Sequence, residues 1–91
     1  MKEINWSVPL ESEEYKEDIE LMVKAAMAAI EETAPGYYVN LVTPGCHGHP
    51  DEYLLPRLKN LFGTVISSKF INQCGCGGFV YRVWKNSVEN N

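Results

Sequence analysis

Apolar and polar residues alternate over Ile4-Asn5-Trp6-Ser7-Val8. That period of two predicts a half-buried strand, and Pro9, which cannot donate to a ladder, ends it. The period then changes. Ile19, Met22, Val23, Ala26 and Ile30 recur at helical spacing, so one helix face is apolar. Ser12 offers an N-cap, Glu13 and Glu14 suit the positive end of the helix dipole, and Pro35-Gly36 stops the helix, which is expected as one piece over residues 13–33. Residues 37–42, Tyr-Tyr-Val-Asn-Leu-Val, are aromatic, β-branched and nearly continuous in apolarity, the pattern of a strand covered on both faces. A loop follows over residues 43–49. Pro50 fits the first position of a second helix, Asp51 and Glu52 follow it, Leu54, Leu55, Leu58, Leu61 and Phe62 form its apolar face, and Gly63 ends it. Pro56 inside this stretch requires a late start at Asp51 or Glu52, or a kink. Residues 64–72 and 79–84 read as a third and a fourth strand joined by a glycine-rich hairpin loop.

The order β-α-β-α-β-β predicts an α/β (α+β) fold: a two-layer sandwich with two helices on one face of a four-stranded mixed sheet. Each βαβ unit is expected to be right-handed and parallel, and the last strand antiparallel to the third. Residues 1–86 form one domain on this reading and residues 87–91 a flexible tail. A second strand covered on both faces needs something over the open side of the sheet, for which a homodimer is one candidate.

Composition narrows the class of function. The chain has 91 residues, 45% of them hydrophobic, and a net charge of −4 from twelve acidic and eight basic side chains, as expected of a small folded domain. No cluster of Lys or Arg is present, which argues against nucleic acid and anionic membrane surfaces as partners. No signal peptide and no membrane-spanning stretch are evident, so the expected location is the cytoplasm. Three Cys is an odd number and two of them are separated by a single Gly, a poor start for a disulfide framework. In a reducing compartment these are thiols, metal ligands or sites of modification.

The topology brings two of the chain's segments together. If the second and third strands are parallel members of one sheet, their C-terminal ends share an edge, where ligands of open α/β sheets bind. Cys46, His47 and His49 follow the second strand; Cys74 and Cys76 follow the third. Thiolates and imidazoles together suit a transition metal such as Zn, Cu or Fe, which makes these five residues candidate ligands. A plainer reading remains open, in which the glycines make a turn, His49 caps the second helix and the Cys side chains are small apolar fillers. Against it, residues 73–79 place three glycines and two thiols on one connection, where a hairpin needs one or two glycines. A redox role is weaker, since a disulfide across one intervening residue is strained. No acidic pair is set against the histidines in a recognisable acid–base arrangement, so the chain is not expected to be an enzyme.

Cys74-Gly75-Cys76-Gly77-Gly78, together with Pro35-Gly36, Val39-Asn40-Leu41-Val42-Thr43, His47-Gly48-His49-Pro50, Val80 and Arg82-Val83, resembles the CGCGG family. Its members are described as proposed substrates of a radical S-adenosylmethionine (radical SAM) enzyme, that is, ribosomally made and post-translationally modified products. The resemblance implies a radical SAM maturase as partner and Cys74, Gly75, Cys76, Gly77 and Gly78 as modification candidates. A glycine α-carbon is a good target for hydrogen abstraction, because flanking amides stabilise the radical and no side chain blocks approach. A neighbouring thiol can then bond to that carbon. Strand-forming residues follow the motif, so excision of a small product would break the sheet, and the expectation is modification in place, or no modification and a metal site instead.

Overall fold

The computed structural model describes residues 2–73 and 78–86. The described elements are β1 (Trp6–Pro9), α1 (Glu13–Glu17), α2 (Ile19–Glu32), β2 (Tyr38–Thr43), a 3-10 turn (Gly45–His47), α3 (Pro50–Phe62), a second 3-10 turn (Gly63–Val65), β3 (Ile66–Gln73) and β4 (Phe79–Lys85). They build an α+β fold around a four-stranded mixed sheet of order β1-β2-β4-β3. The predicted tail, residues 87–91, lies outside the described residues.

The first helix is two helices rather than one. Asp18 leaves the helical region at φ −136° and its carboxylate accepts the backbone N–H groups of Glu20 and Leu21, so it caps a new helix. Ser12 caps α1 in position but makes no side-chain hydrogen bond there. The strong cap in the interior of the segment outweighs the continuous apolar stripe. In α3 the helix does start at Pro50, and Pro56 is accommodated inside it on the exposed side. The Glu52 carbonyl that Pro56 leaves without an N–H therefore faces solvent.

β1 pairs parallel with β2, and β4 pairs antiparallel with both β2 and β3. β2 and β3 consequently run in the same direction, but β4 lies between them. The more apolar strand of the hairpin takes the centre, and β3, with Ser67, Ser68, Lys69, Asn72 and Gln73, takes the edge. β2 is not covered on both faces as its apolarity suggested. Val39, Leu41 and Thr43 are fully buried, whereas Tyr38, Asn40 and Val42 are half-buried on the opposite face.

One core holds the layers together. Met22, Val23, Ala26, Ala29 and Ile30 of α2 and Leu54 and Leu58 of α3 pack with Val39, Leu41, Ile66, Tyr81 and Val83, all from one face of the sheet. Thr33 ties the end of α2 to β1: its hydroxyl donates to the Ala29 carbonyl (2.8 Å) and accepts from the indole N–H of Trp6 (2.9 Å).

Candidate functional site

The strand directions place three chain segments at one rim. Thr43, the last residue of β2, and Gln73, the last of β3, both pair with Phe79, the first of β4. The connection over residues 74–78 therefore leaves and re-enters the sheet beside the start of the Pro44 to His49 loop, as the sequence led one to expect. Cys74, Gly75, Cys76 and Gly77 lie outside the described residues.

Gly78 is the described end of that connection, and it is buried. A methyl group at its side-chain position would stand 2.6 Å from the Thr43 carbonyl oxygen and closer still to Oε2 of Glu11. Glycine is needed here for close approach rather than for an unusual dihedral angle. Glu11 reaches this point because β1 continues past Pro9: the Leu10 N–H donates to the Val42 carbonyl at 2.8 Å. A carboxylate thus stands at the junction of the Cys-Gly segment and the sheet. Nothing in the periodicity of the sequence marks Glu11, which lies 67 positions before Gly78; a proline-ended strand just before it was the only signal available.

His47 and His49 serve different neighbours. The His47 Nε2–H donates to the Tyr15 carbonyl at 2.7 Å, and the ring packs edge-on to Tyr53. Neutral His47 therefore carries its lone pair on Nδ1. His49 is the N-cap of α3: its Nδ1 accepts the Asp51 backbone N–H at 3.2 Å. Its ring lies 4.6 Å from that of Phe70 and 5.1 Å from that of Phe79, against the two strands that flank the Cys-Gly segment. The only lone pair of neutral His49 is thereby engaged in the cap, which makes this imidazole a poor metal ligand in the observed arrangement. Cys46 is a free, exposed thiol whose sulfur sits 3.9 Å from the Lys16 carbonyl oxygen. Among the described residues no three His, Cys, Asp or Glu side chains gather into a group that could hold a metal ion.

Two phenols, one on α3 and one on β4, have shifted acidity. The Tyr53 hydroxyl is buried, and no well-formed hydrogen bond reaches it, although Thr43 is near enough to interact. Burial holds its pKa above the ordinary phenol value; Thr43 opposes the rise and Cys46 adds to it. Tyr81 donates to Ser68 Oγ at 3.1 Å. Its pKa is raised as well, first by burial, with Ser68 opposing and Asp51 adding. Tyr53 is recognisable in the sequence only as part of the helix amphipathicity, and its polar end was not foreseen.

No helix of the described residues is long and apolar enough to cross a membrane. No curated protein and no solved structure matches this chain. A family model does match, and it covers the whole described fold from the first strand through the end of β4 rather than the Cys-Gly segment alone. Over residues 1–86 the chain fits the family described as "Putative radical SAM target protein", and it belongs to that family.

Proposed function

We propose that this protein is a folded substrate, modified in place within residues 74–78 by a radical SAM enzyme, and that it is not itself an enzyme. The observation that carries this reading is the position of β4. The strand that follows the Cys-Gly segment is central: it is hydrogen-bonded to β2 on one side and β3 on the other. Its Tyr81 and Val83 are each 1% exposed in the core. Burial of two such side chains is worth about 3–6 kcal/mol, so release of a peptide at the motif would dismantle the domain that the family match spans.

The chemistry follows from the residue types. Joining a Cys74 or Cys76 sulfur to a glycine α-carbon forms one S–C bond and breaks one S–H and one C–H bond. The α-hydrogen leaves as an atom to the partner's adenosyl radical, the thiol proton goes to solvent or a base, and one electron passes to the partner's redox centre. Gly75 and Gly77 are the acceptors we favour over Gly78, whose side-chain position is closed by Thr43 and Glu11.

The test is peptide mapping of protein from its native source. Trypsin gives residues 70–82 with both motif thiols and residues 25–57 with Cys46. After reduction, the reading expects the first peptide to be lighter by two hydrogen atoms per link, with each linked thiol resistant to alkylation and Cys46 alkylated normally. Full alkylation of Cys74 and Cys76 at unshifted mass refutes it.

A metal centre using Cys74 and Cys76 competes for the same thiols. His47 Nδ1 is the imidazole nitrogen best suited to join them, since its other nitrogen is held by Tyr15. Stoichiometric Zn, Cu or Fe in untagged protein, lost in a Cys74→Ser, Cys76→Ser variant, would favour that reading.

A further inference from the structure

The helices cover one face of the sheet; the other carries a chemistry that the core does not require. Its outward strand residues are Ser7 and Pro9, Tyr38, Asn40 and Val42, Val80, Arg82 and Trp84, and Ser67, Lys69 and Asn72, with no Asp or Glu among them. The chain as a whole is acidic, at −4. The guanidinium of Arg82 lies over the Tyr38 ring at 4.1 Å and near that of Trp84 at 5.8 Å, while its Nε–H donates to Asn40 Oδ1 at 2.8 Å. Tyr38 and Trp84 meet edge to face. Arg82 is thus oriented, and among the described residues its terminal nitrogens make no hydrogen bond.

The cross-strand partner of Arg82 is Lys69. Like charges directly opposite on neighbouring strands destabilise a sheet. Among the described residues no carboxylate forms an ion pair with either cation. The fold carries this cost on the one face that nothing in the chain's core explains.

We propose that this open face, centred on Arg82, Lys69, Tyr38 and Trp84, is the docking surface for a carboxylate-bearing protein surface of the modifying enzyme. Charge complementarity selects the occupant. Two cations within an aromatic platform suit a small acidic patch with apolar groups beside it. A second copy docking through the same face would set Arg82 and Lys69 against their own likes. Two cations on an acidic chain are also too few for nucleic acid. The platform runs along β4 to Val80, next to the residues to be modified, so a partner seated there is close to its target.

This rests on the reading of the protein as a radical SAM substrate, and the experiment separates the two. The modified fraction of the tryptic peptide that spans residues 74–78 is measured in the native source for wild type and for a control reversal on α2, Lys24→Glu (both 70–82), for Lys69→Glu (60–82) and for Arg82→Glu (70–85). Docking through the open face predicts about a tenfold or greater fall in modification for Lys69→Glu and Arg82→Glu and no change for Lys24→Glu. Lys69→Glu should at the same time raise Tm, because it turns a like-charge pair into an ion pair, so a folding defect cannot account for its loss of modification. Wild-type levels of modification in both variants overturn the docking proposal and leave the substrate reading intact. An unmodified wild type overturns the substrate reading itself. Loss of modification in all three variants alike marks a nonspecific charge effect and also overturns it.

Discussion

The two faces of the sheet are built from the same strands and do opposite things. On the covered face Val39, Leu41, Tyr81 and Val83 are at most 1% exposed and join α2 and α3 in one core. On the open face Tyr38, Asn40, Arg82 and Trp84 form a half-buried polar and aromatic layer, held by a hydrogen bond and a cation over a ring, with a like-charge pair at its edge. The first face follows from the hydrophobic effect alone. The second contributes no residue to that core beyond the strands themselves, and its residue choices are those of the docking surface proposed above. The covered and open faces meet at the rim, where Thr43, Gly78 and Glu11 set the ends of the Cys-Gly segment.

Mutations should separate the two faces by size of effect. Leu41→Ala removes a fully buried side chain from the centre of the core, and denaturant unfolding should show a loss of about 2–5 kcal/mol. Gly78→Ala is next: the Thr43 carbonyl is backbone and cannot swing away, so about 1–3 kcal/mol should be lost. Glu11→Ala in the same chain should restore only part of that. Asn40→Ala on the open face deletes the exposed bond to Ser7 and the part-buried bond from Arg82, and the loss should be about 0.5–1.5 kcal/mol. An Asn40→Ala loss as large as that of Leu41→Ala would erase the distinction between the faces.

The smallest effect at ordinary pH concerns the phenols. Tyr53 and Tyr81 have folded-state pKa values above the ordinary 10.0. A raised pKa means that the folded state holds its proton more tightly than the unfolded chain does. Its stabilising contribution is complete below pH 10 and is lost as pH climbs through and beyond that value. Stability measured from pH 8 to 11 should therefore be flat and then fall, and Tyr81→Phe should fall less steeply than wild type. Tyr53→Phe removes a hydroxyl without a well-formed bond and should be close to neutral at pH 7.

Much of this was legible in the chain. The element order, the parallel course of the second and third strands and the capping role of His49 all follow from periodicity and from Pro50 at a helix start. The shared rim follows from them in turn. The break at Asp18 was not, because an apolar stripe at helical spacing continues across it; a capping carboxylate decides the boundary through two backbone N–H groups that no periodicity reports. The insertion of β4 between β2 and β3 was signalled by the polar residues of β3, but a hairpin can fold onto a sheet from either strand. Tyr-Tyr-Val-Asn-Leu-Val looked like a strand covered twice because Tyr38 and Val42 are apolar enough for a core and yet line the open face. Strand direction alone brings the five candidate metal ligands to one rim, and of these Cys74 and Cys76 lie outside the described residues. In the structure His47 turns to α1 and His49 to the β3–β4 hairpin, since each is held by its own hydrogen bond. Glu11 became visible only in three dimensions.

The central claim is that a folded protein is altered within residues 74–78 and kept whole. Intact mass of the protein from its native source, taken after reduction and again after alkylation under denaturing conditions, tests it most directly. The account predicts a single continuous chain that retains β4, is lighter by pairs of hydrogen atoms and takes up label at Cys46 but not at both motif thiols. An unshifted mass with all three thiols labelled, or a chain that ends at the motif, would contradict it.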